Sequence, residues 1–229
     1  MHVKLLSWNI WVDNKFDLVK DYLSSSGADI LALQEVRADD SSRDIVSYLT
    51  SSLGYDHIFY PQPRPWESGR VDGPAIFSKY EITSSQKQLI SVENGVGAVN
   101  ANIKIKNNIY HVFSTHLSHT HQQESAMQLD QINKVISNIP TTNSILMGDF
   151  NAIPTSHTLQ KVKEKMFDVD LQNTPTWSVY EDGCNVCQQK TVDIRLDYIF
   201  VTPDITTHSY TVGQSKGSDH LPISVIMDI

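Results

Sequence analysis

The sequence predicts an α/β fold in which two mixed, mostly antiparallel β-sheets pack face to face with helices on the outside. The chain opens with a strand, a helix and a second strand inside its first 35 residues. Its middle contains a hairpin whose first arm alternates, with Val99, Ala101, Ile103 and Ile105 on one face. The order strand, helix, strand recurs in the second half. Many adjacent strands with interspersed helices favour two packed sheets.

The first half of the chain alternates apolar runs with helical spacing. Short apolar runs predict strands at 3–10, 30–33, 75–78 and 82–89. Helical spacing predicts helices at 14–23 and 42–53, each followed by a glycine. Four prolines leave residues 61–74 irregular, with a loop at 61–73. In this loop Arg64 and Trp66 are candidate substrate contacts, although an exposed loop without function fits the same pattern.

The second half starts with the hairpin. Its arms are expected at 99–105 and 109–115. An amphipathic helix follows at 126–139 and ends at Pro140, and a helix is expected at about 157–166. Further strands are expected at 145–147, 196–201, 206–212 and 223–226. Residues 171–195 are polar and predict no element, except that Thr176-Trp177 indicates the start of a strand.

Length and charge limit the class of protein. The 229 residues show no linker, repeat or low-complexity tract, which favours a single domain over 1–229 and a monomer. The first ten residues lack the apolar run of a signal peptide, and no segment is long enough for a membrane span, so we expect a cytoplasmic protein. The formal charge of −8 argues against broad, charge-driven binding of nucleic acid.

The two cysteines, Cys184 and Cys187, form an isolated C-x-x-C motif. This spacing fits half of a zinc site or a redox pair, but no second C-x-x-C or nearby H-x-x-x-H completes it. We therefore favour an ordinary turn with reduced thiols.

Isolated polar side chains stand at the ends of several predicted strands. The apolar run that starts at Ile145 stops at Gly148, and Asp149 and Asn151 follow it. On an extended chain, positions i and i+2 point the same way, so this acid and amide are expected to face one spot. The others are Asn9, Glu35, His116, Asp219 and His220, and Asp197 lies inside an apolar strand. Each has an alternative interpretation as a turn, cap or surface residue, but their joint occurrence indicates one site.

Six segments carry a family resemblance. They are SWNI at 7–10, LQEV at 33–36, STHLSH at 114–119, GDFN at 148–151, RLDYIF at 195–200 and GSDHLPI at 217–223. In this order they resemble the endonuclease/exonuclease/phosphatase superfamily. The resemblance implies a four-layer α/β sandwich and divalent-metal-dependent hydrolysis of phosphate esters.

The resemblance also implies roles for individual residues. Glu35 is expected to be the chief ligand of Mg²⁺, for which Mn²⁺ can substitute, with Asn9 and Asp219 assisting. Asp149 is expected to orient or deprotonate the attacking water, and Asn151 to donate to a phosphate oxygen. His220 would contact the scissile phosphate, and Asp197 would hold the His220 ring. His116 would be a second hydrogen-bond donor to the phosphate.

The presence of His116 separates branches of the superfamily. Abasic-site endonucleases generally lack this histidine, and the motif set is most similar to tyrosyl-DNA phosphodiesterases. That branch often follows the histidine with Glu-Ser and an arginine, whereas this chain has Ser118-His119-Thr120-His121. His119 and His121 fit either a second metal site or exposed loop histidines, and we favour the latter.

The expected substrate is therefore a DNA or RNA end or a 5′-tyrosyl-DNA adduct. Two alternatives stay open. One is a lipid or small phosphoester, as in sphingomyelinases or inositol phosphatases, which the acidic charge fits slightly better. The other is an inactive interaction module on the same fold, which would usually have lost metal or histidine positions.

Overall fold

A computed structural model describes residues 1–64, 69–93, 95–181, 184, 186–187 and 190–229. Thirteen strands are described: β1 His2–Asn9, β2 Ile30–Arg37, β3 Asp56–Phe59, β4 Gln62–Pro63, β5 Val71–Ser78, β6 Ile82–Ser91, β7 Val96–Ile105, β8 Asn108–His116, β9 Ser144–Asp149, β10 Phe167–Asp168, β11 Asp197–Val201, β12 Thr207–Val212 and β13 Ile223–Asp228. The helices are α1 Phe16–Ser25, α2 Ile45–Ser47, α3 Ala126–Ile136 and α4 His157–Lys163. Around α2, Ser41–Arg43 forms a 3-10 turn and Tyr48–Ser52 a π-helical segment.

The strands form two open sheets. The first has the order β12-β13-β1-β2-β5-β3, with β4 beside β5, and the second has the order β10-β11-β9-β8-β7-β6. Within these sheets β1 runs parallel to β2, and β8 runs parallel to β9. The other pairs are antiparallel. The prediction of two mixed, mostly antiparallel sheets is confirmed.

Side chains that alternate along the strands build the layers. Leu5 and Ile30 face the core between the two sheets, where they meet Ile103 and Ile145. Their neighbours in sequence, such as Leu6, point outward into a cluster with Val19 and Leu23 of α1. On the far side, α3 and α4 pack against the outer face of the second sheet. Both faces of the central strands are covered, and this requires the nearly continuous apolar runs that the sequence contains.

The parallel pairs bring strand ends together. In β1 and β2, Asn9 is the register partner of Gln34, and in β8 and β9, His116 is the partner of Asp149. Gly148 permits the second pairing, because a side chain there would collide with the backbone carbonyl of Thr115. The polar residues at these strand ends therefore meet at one edge of the sandwich.

Several elements differ from the sequence prediction. Residues 61–73, predicted as a loop, include β4 and the beginning of β5, because they pair along an edge of the first sheet. Trp177 does not start a strand but makes isolated bridges to Ile194 and His220. Trp66 lies outside the described residues.

The buried face of α3 is partly polar. Gln128 and Gln131 are almost fully buried, whereas Leu129 is only partly buried. Gln128 Nε2 donates to the carbonyls of Ser118 and Asn151, and the Gln131 side chain bonds Ser118 at both its backbone N–H and its hydroxyl. Buried amides must be paired, so α3 anchors the loop after β8. Among the described helices, none has the length and apolar character needed to cross a membrane.

Candidate active site

A cavity of about 450 Å³ opens at the edge of the sandwich where the strand ends meet. Eight of the predicted site residues line it: Asn9, Glu35, Arg64, His116, Asp149, Asn151, Asp219 and His220. Asp197 is fully buried behind the ring of His220. The first sheet contributes Asn9 and Glu35, and the second contributes His116 and Asp149. The two sheets thus share one site.

A β-bulge directs Glu35 into the cavity. The pairing of β2 with β5 shifts register between Leu33 and Val36, and Glu35 has a positive φ of 56°. A bulge of this kind redirects a side chain, and a non-glycine residue in the left-handed region is strained. Glu35 Oε1 accepts from Asn9 Nδ2 at 3.1 Å, and Oε2 accepts from the Val12 N–H at 3.0 Å.

Asp149 is a buried carboxylate held from two sides. Its Oδ1 accepts from the Asn151 N–H at 2.8 Å, and its Oδ2 accepts from Asn9 Nδ2 at 3.0 Å. Burial raises the pKa of Asp149 to about 7, opposed mainly by His220. A carboxylate with such a pKa is suited to accept a proton near neutral pH.

His220 and Asp197 form a buried pair. His220 Nδ1 lies 2.9 Å from Asp197 Oδ2, which also accepts from the Thr176 hydroxyl at 2.6 Å. Burial would lower the pKa of His220, but Asp197, Asp149 and Asp219 together raise it well above its usual value. The ring is therefore a cation whose Nε2 faces the cavity, 3.6 Å from Asp149 Oδ2.

His116 has the opposite electrostatic character. Burial lowers the pKa of His116 far below its usual value, with a further lowering from Arg64. Its Nε2 lies 3.1 Å from Asn151 Nδ2, and an amide nitrogen only donates, so in this arrangement Nε2 accepts. The site thus contains one charged and one neutral imidazole.

Asn151 is fixed by contacts on every side. Its φ is 48°, and its amide nitrogen also donates to the Leu117 carbonyl at 2.9 Å. Its Oδ1 lies 2.8 Å from Nδ1 of His119. The prediction of exposed loop histidines describes the exposure of His119 and His121 correctly, but it misses this contact with the site.

Oxygen donors suited to a divalent cation lie on one wall of the cavity. Glu35 and Asp219 supply carboxylates there, and Asn9 supplies an amide. Burial and, to a smaller extent, the charge of Glu35 raise the pKa of Asp219 to about 6, against the opposing effects of His220 and of the Trp177 indole, which donates to Asp219 Oδ2 at 3.1 Å. Two neighbouring acids in an all-oxygen set fit a hard divalent cation.

A second compact group consists of Asp149, Asp197 and His220, whose ligand atoms lie within 4.8 Å of one another. We interpret it as a hydrogen-bonded group of balanced charge and not as a cation site. Asp197 faces away from the cavity, with Oδ2 already bonded to His220 and Thr176.

The sequence patterns did not predict the pairing of Arg64 with Asp72 or the presence of Arg70 in the cavity wall. Arg64, a candidate substrate contact, bonds the fully buried Asp72 with its guanidinium, and Arg70 reaches the same carboxylate at 2.8 Å. Arg70 also lies 3.6 Å from Glu35. These arginines hold β4 against β5 and give the wall positive charge.

The expectation that Cys184 and Cys187 are free thiols is wrong in this structure. We expected free thiols in an ordinary turn, but the structure joins the two sulfurs in a disulfide and places both beside His119 and His121. No signal in the sequence links these two motifs, because more than sixty residues separate them.

Comparisons with known proteins agree with this architecture. No match was found among curated proteins. A structure described as an endonuclease/exonuclease/phosphatase from Beutenbergia cavernae is 17% identical, with a TM-score of 0.81, over 100% of this chain and 72% of the other. ANGEL2, described as a 2′,3′-cyclic phosphatase, is 16% identical with a TM-score of 0.75, over 99% and 95% of the two chains.

A third structure, D. rerio TDP2 humanized by 14 mutations, is 18% identical with a TM-score of 0.72, over 100% of this chain and 99% of the other. At these identities the likeness concerns the fold alone. The sequence profile of the Endonuclease/Exonuclease/phosphatase family matches residues 6–220. This chain, with its two-sheet sandwich and its polar strand ends around one cavity, belongs to the endonuclease/exonuclease/phosphatase family.

Proposed function

We propose that this protein is a divalent-cation-dependent phosphodiesterase that hydrolyses phosphoesters at DNA or RNA ends or in 5′-tyrosyl-DNA adducts. The observation that carries the proposal is the meeting, around one cavity, of a carboxylate pair, a buried base and a charged imidazole. Each group matches one need of phosphoester hydrolysis.

Asp149 is assigned the role of general base. Water attacks phosphorus in line with the leaving oxygen, so that a new P–O bond forms as the ester P–O bond breaks. The proton of the water passes to Asp149 Oδ2, and the leaving oxygen takes a proton from solvent. A pKa of about 7 suits this role, because the carboxylate is then half ionised near neutral pH.

His220, Asn151 and His116 are assigned to the phosphate. The imidazolium of His220 offers Nε2 as a charged donor, and Asp197 keeps that ring protonated and oriented. The Asn151 amide would donate to a second oxygen. His116 holds that amide in the free protein and would itself donate once its proton is on Nε2.

Glu35, Asn9 and Asp219 would hold the cation, which we propose to be Mg²⁺ with Mn²⁺ able to replace it. When bound, such a cation withdraws charge from the phosphoryl oxygens and stabilises negative charge on the leaving group. The chain contributes the oxygen donors and the bulge that directs Glu35.

An aromatic rim supports a substrate that carries a ring. Trp11 lines the cavity and stacks on Tyr180, with ring centroids 5.8 Å apart. Exposed aromatic surfaces stack nucleobases, and a tyrosyl ring would fit equally. Together with the arginines of the cavity wall, this rim gives local attraction for a nucleic-acid end despite the net charge of −8.

A second candidate is a phosphatase or phospholipase-C-like hydrolase that acts on a lipid or small phosphoester. The size of the cavity, about 450 Å³, favours it, because this is the range for small ligands. The 2′,3′-cyclic phosphatase among the structural neighbours is compatible with it.

A substrate panel tests both candidates. Hydrolysis of a bis-aryl phosphate, a 5′-tyrosyl oligonucleotide, a phosphomonoester and a phosphocholine lipid is measured with Mg²⁺ and with chelator. We expect Mg²⁺-dependent turnover of the first two, lost in Glu35→Gln and retained in Glu164→Gln, which changes an exposed acid directly after α4. Turnover of the lipid or monoester alone would favour the second candidate. Turnover of none, with intact folding and Mg²⁺ binding, would contradict both.

A further inference from the structure

Four metal-ligating side chains converge beside the active site from two loops that are distant in sequence. His119 and His121 follow β8, and Cys184 and Cys187 lie beyond Tyr180. Their ligand atoms lie within 4.8 Å of one another. None of the catalytic roles assigned above uses them.

Five of the six distances between these atoms match the edges of a zinc tetrahedron. The sixth edge joins the two sulfurs, which are bonded as a disulfide here and would have to separate to about 3.8 Å after reduction. Zn–N bonds of about 2.0–2.1 Å and Zn–S bonds of about 2.3 Å give N···N edges of about 3.3 Å and N···S edges of about 3.6 Å. His119 Nε2 lies 3.1 Å from His121 Nδ1. The four N···S distances are 3.7 and 3.4 Å for His119 and 3.6 and 3.4 Å for His121.

Hydrogen bonds around the cluster prepare the ligand atoms. The Asn151 side-chain oxygen accepts from Nδ1 of His119 at 2.8 Å, which leaves a lone pair on Nε2 pointing at the sulfurs. This is the outer contact that metal-bound histidines characteristically make. The Cys187 N–H lies 3.1 Å from Cys184 Sγ, where it would stabilise a thiolate. A disulfide alone requires neither histidine.

We propose that reduced Cys184 and Cys187, with His119 Nε2 and His121 Nδ1, bind one structural Zn²⁺. Four protein ligands close the coordination shell, so this ion would take no part in the hydrolytic step. Two thiolates and two imidazoles select zinc, whereas the oxygen donors of the cavity select a harder ion. Zinc binding at these four residues does not depend on the function proposed above.

The chemistry requires the reduced pair. A phosphine reductant breaks the S–S bond to give two thiols, and the phosphine is oxidised to its oxide with oxygen from water. On zinc binding the two thiols lose their protons to solvent, and the two S–Zn bonds form.

The zinc would fasten the wall of the active site. His119 and Cys184 both line the catalytic cavity, so the ion would join the loop after β8 to the loop beyond Tyr180. Through the Nδ1 contact of His119 it would also position Asn151, the amide assigned to the phosphate.

Metal content tests the proposal directly. Protein reduced with phosphine is loaded with Zn²⁺, desalted and analysed by mass spectrometry of the metal. We expect one zinc per chain in the wild type and in two controls, His157→Ala and His208→Ala. The second control disrupts a separate surface cluster of His2, His208 and Asp228. We expect at least a tenfold loss of zinc affinity in His121→Ala and Cys184→Ser. Equal zinc content in all five proteins would overturn the proposal.

Cobalt substitution decides the case if a variant fails to fold. Wild type loaded with Co²⁺ should show the visible bands of tetrahedral cobalt and near-ultraviolet thiolate-to-cobalt charge transfer. Absence of the charge-transfer band, or failure of the reduced wild type to bind zinc, would overturn it. Hydrogen exchange of residues 117–125 should slow when zinc is added to the wild type but not when it is added to His121→Ala.

Discussion

Asp149 and Asp197 are direct partners in the antiparallel pairing of β9 and β11, and the ring of His220 lies between their carboxylates. Two acids this close would repel each other if both faced the same empty space. The protonated imidazole relieves the repulsion, and the three groups form one titrating unit. Asp197 thereby holds the imidazolium of His220, and Asp149 would be available to take a proton in the role proposed above.

Asp197→Asn should lower activity by roughly a hundredfold, because an orienting and charge-holding partner of a catalytic group is removed. The asparagine can still bond Thr176, so folding should survive. Loss of the carboxylate lowers the pKa of His220. The fall of activity at alkaline pH should therefore begin at a lower pH than in the wild type. The pH dependence of the rate measures this shift. Asp130→Asn, on the exposed face of α3, is the control, and an unchanged alkaline limb would contradict the assignment.

The metal-free protein should lose stability as pH rises from about 4, the usual pKa of an aspartate, to about 7. Asp149 has a folded pKa of about 7, above its unfolded value, so the folded state binds more protons across this window. The raised pKa of His220 acts in the same direction. Urea unfolding in chelator should show that Asp149→Asn reduces the loss by a few kcal/mol, since a pKa change of one unit corresponds to about 1.4 kcal/mol. Glu164→Gln is the control and should lose as much stability with pH as the wild type. If Asp149→Asn loses as much as this control, the loss is not due to Asp149.

Stabilisation by Mg²⁺ should increase with pH. The pKa of Asp219 is about 6, so at lower pH a proton competes with the cation for this carboxylate. The rise in melting temperature on adding Mg²⁺ should be larger at about pH 8 than at about pH 6. Glu35→Gln should lose most of this rise, and Glu164→Gln should keep it. A rise that is equal at both pH values would argue against Asp219 as a ligand.

Trp11→Ala should raise KM for a 5′-tyrosyl oligonucleotide by roughly tenfold, since stacking on one aromatic ring contributes about 1–3 kcal/mol. The value of kcat should change little, because Trp11 lies at the rim of the cavity. Steady-state kinetics separate the two effects. Phe167→Ala removes an exposed ring far from the cavity and should leave KM unchanged. If Trp11→Ala changes kcat and spares KM, the ring does not bind the substrate.

The sequence allowed the two-sheet fold and the polar strand ends to be predicted for local reasons. Apolar alternation decides which strand faces are buried, and parallel register then places Asn9 near Glu35 and His116 beside Asp149. These relationships follow from neighbouring strands. The four-layer arrangement follows because both faces of the central strands are apolar.

The parts that escaped prediction depend on contacts between distant loops. The pairing of Arg64 with Asp72 requires that residues 62–63 lie beside β5. The four prolines of this region predict a loop instead. The buried glutamines of α3 share the helix face of Ile132 and Val135, but their polar side chains suggest an exposed position. The approach of His119 to Cys184 depends on two irregular segments, for which hydrophobic patterns give no register.

Because the site is divided between two sheets, the apolar core between the sheets determines how far apart its two halves lie. Asn9 and Glu35 belong to one sheet and Asp149 to the other, so the width of the apolar layer that contains Leu5 and Met147 would set the separation between the proposed cation site and the proposed general base. A methyl group lost from that layer would let the sheets approach or tilt. If the proposed roles hold, substitutions in the core that never touch the substrate should change the alignment of the attacking water.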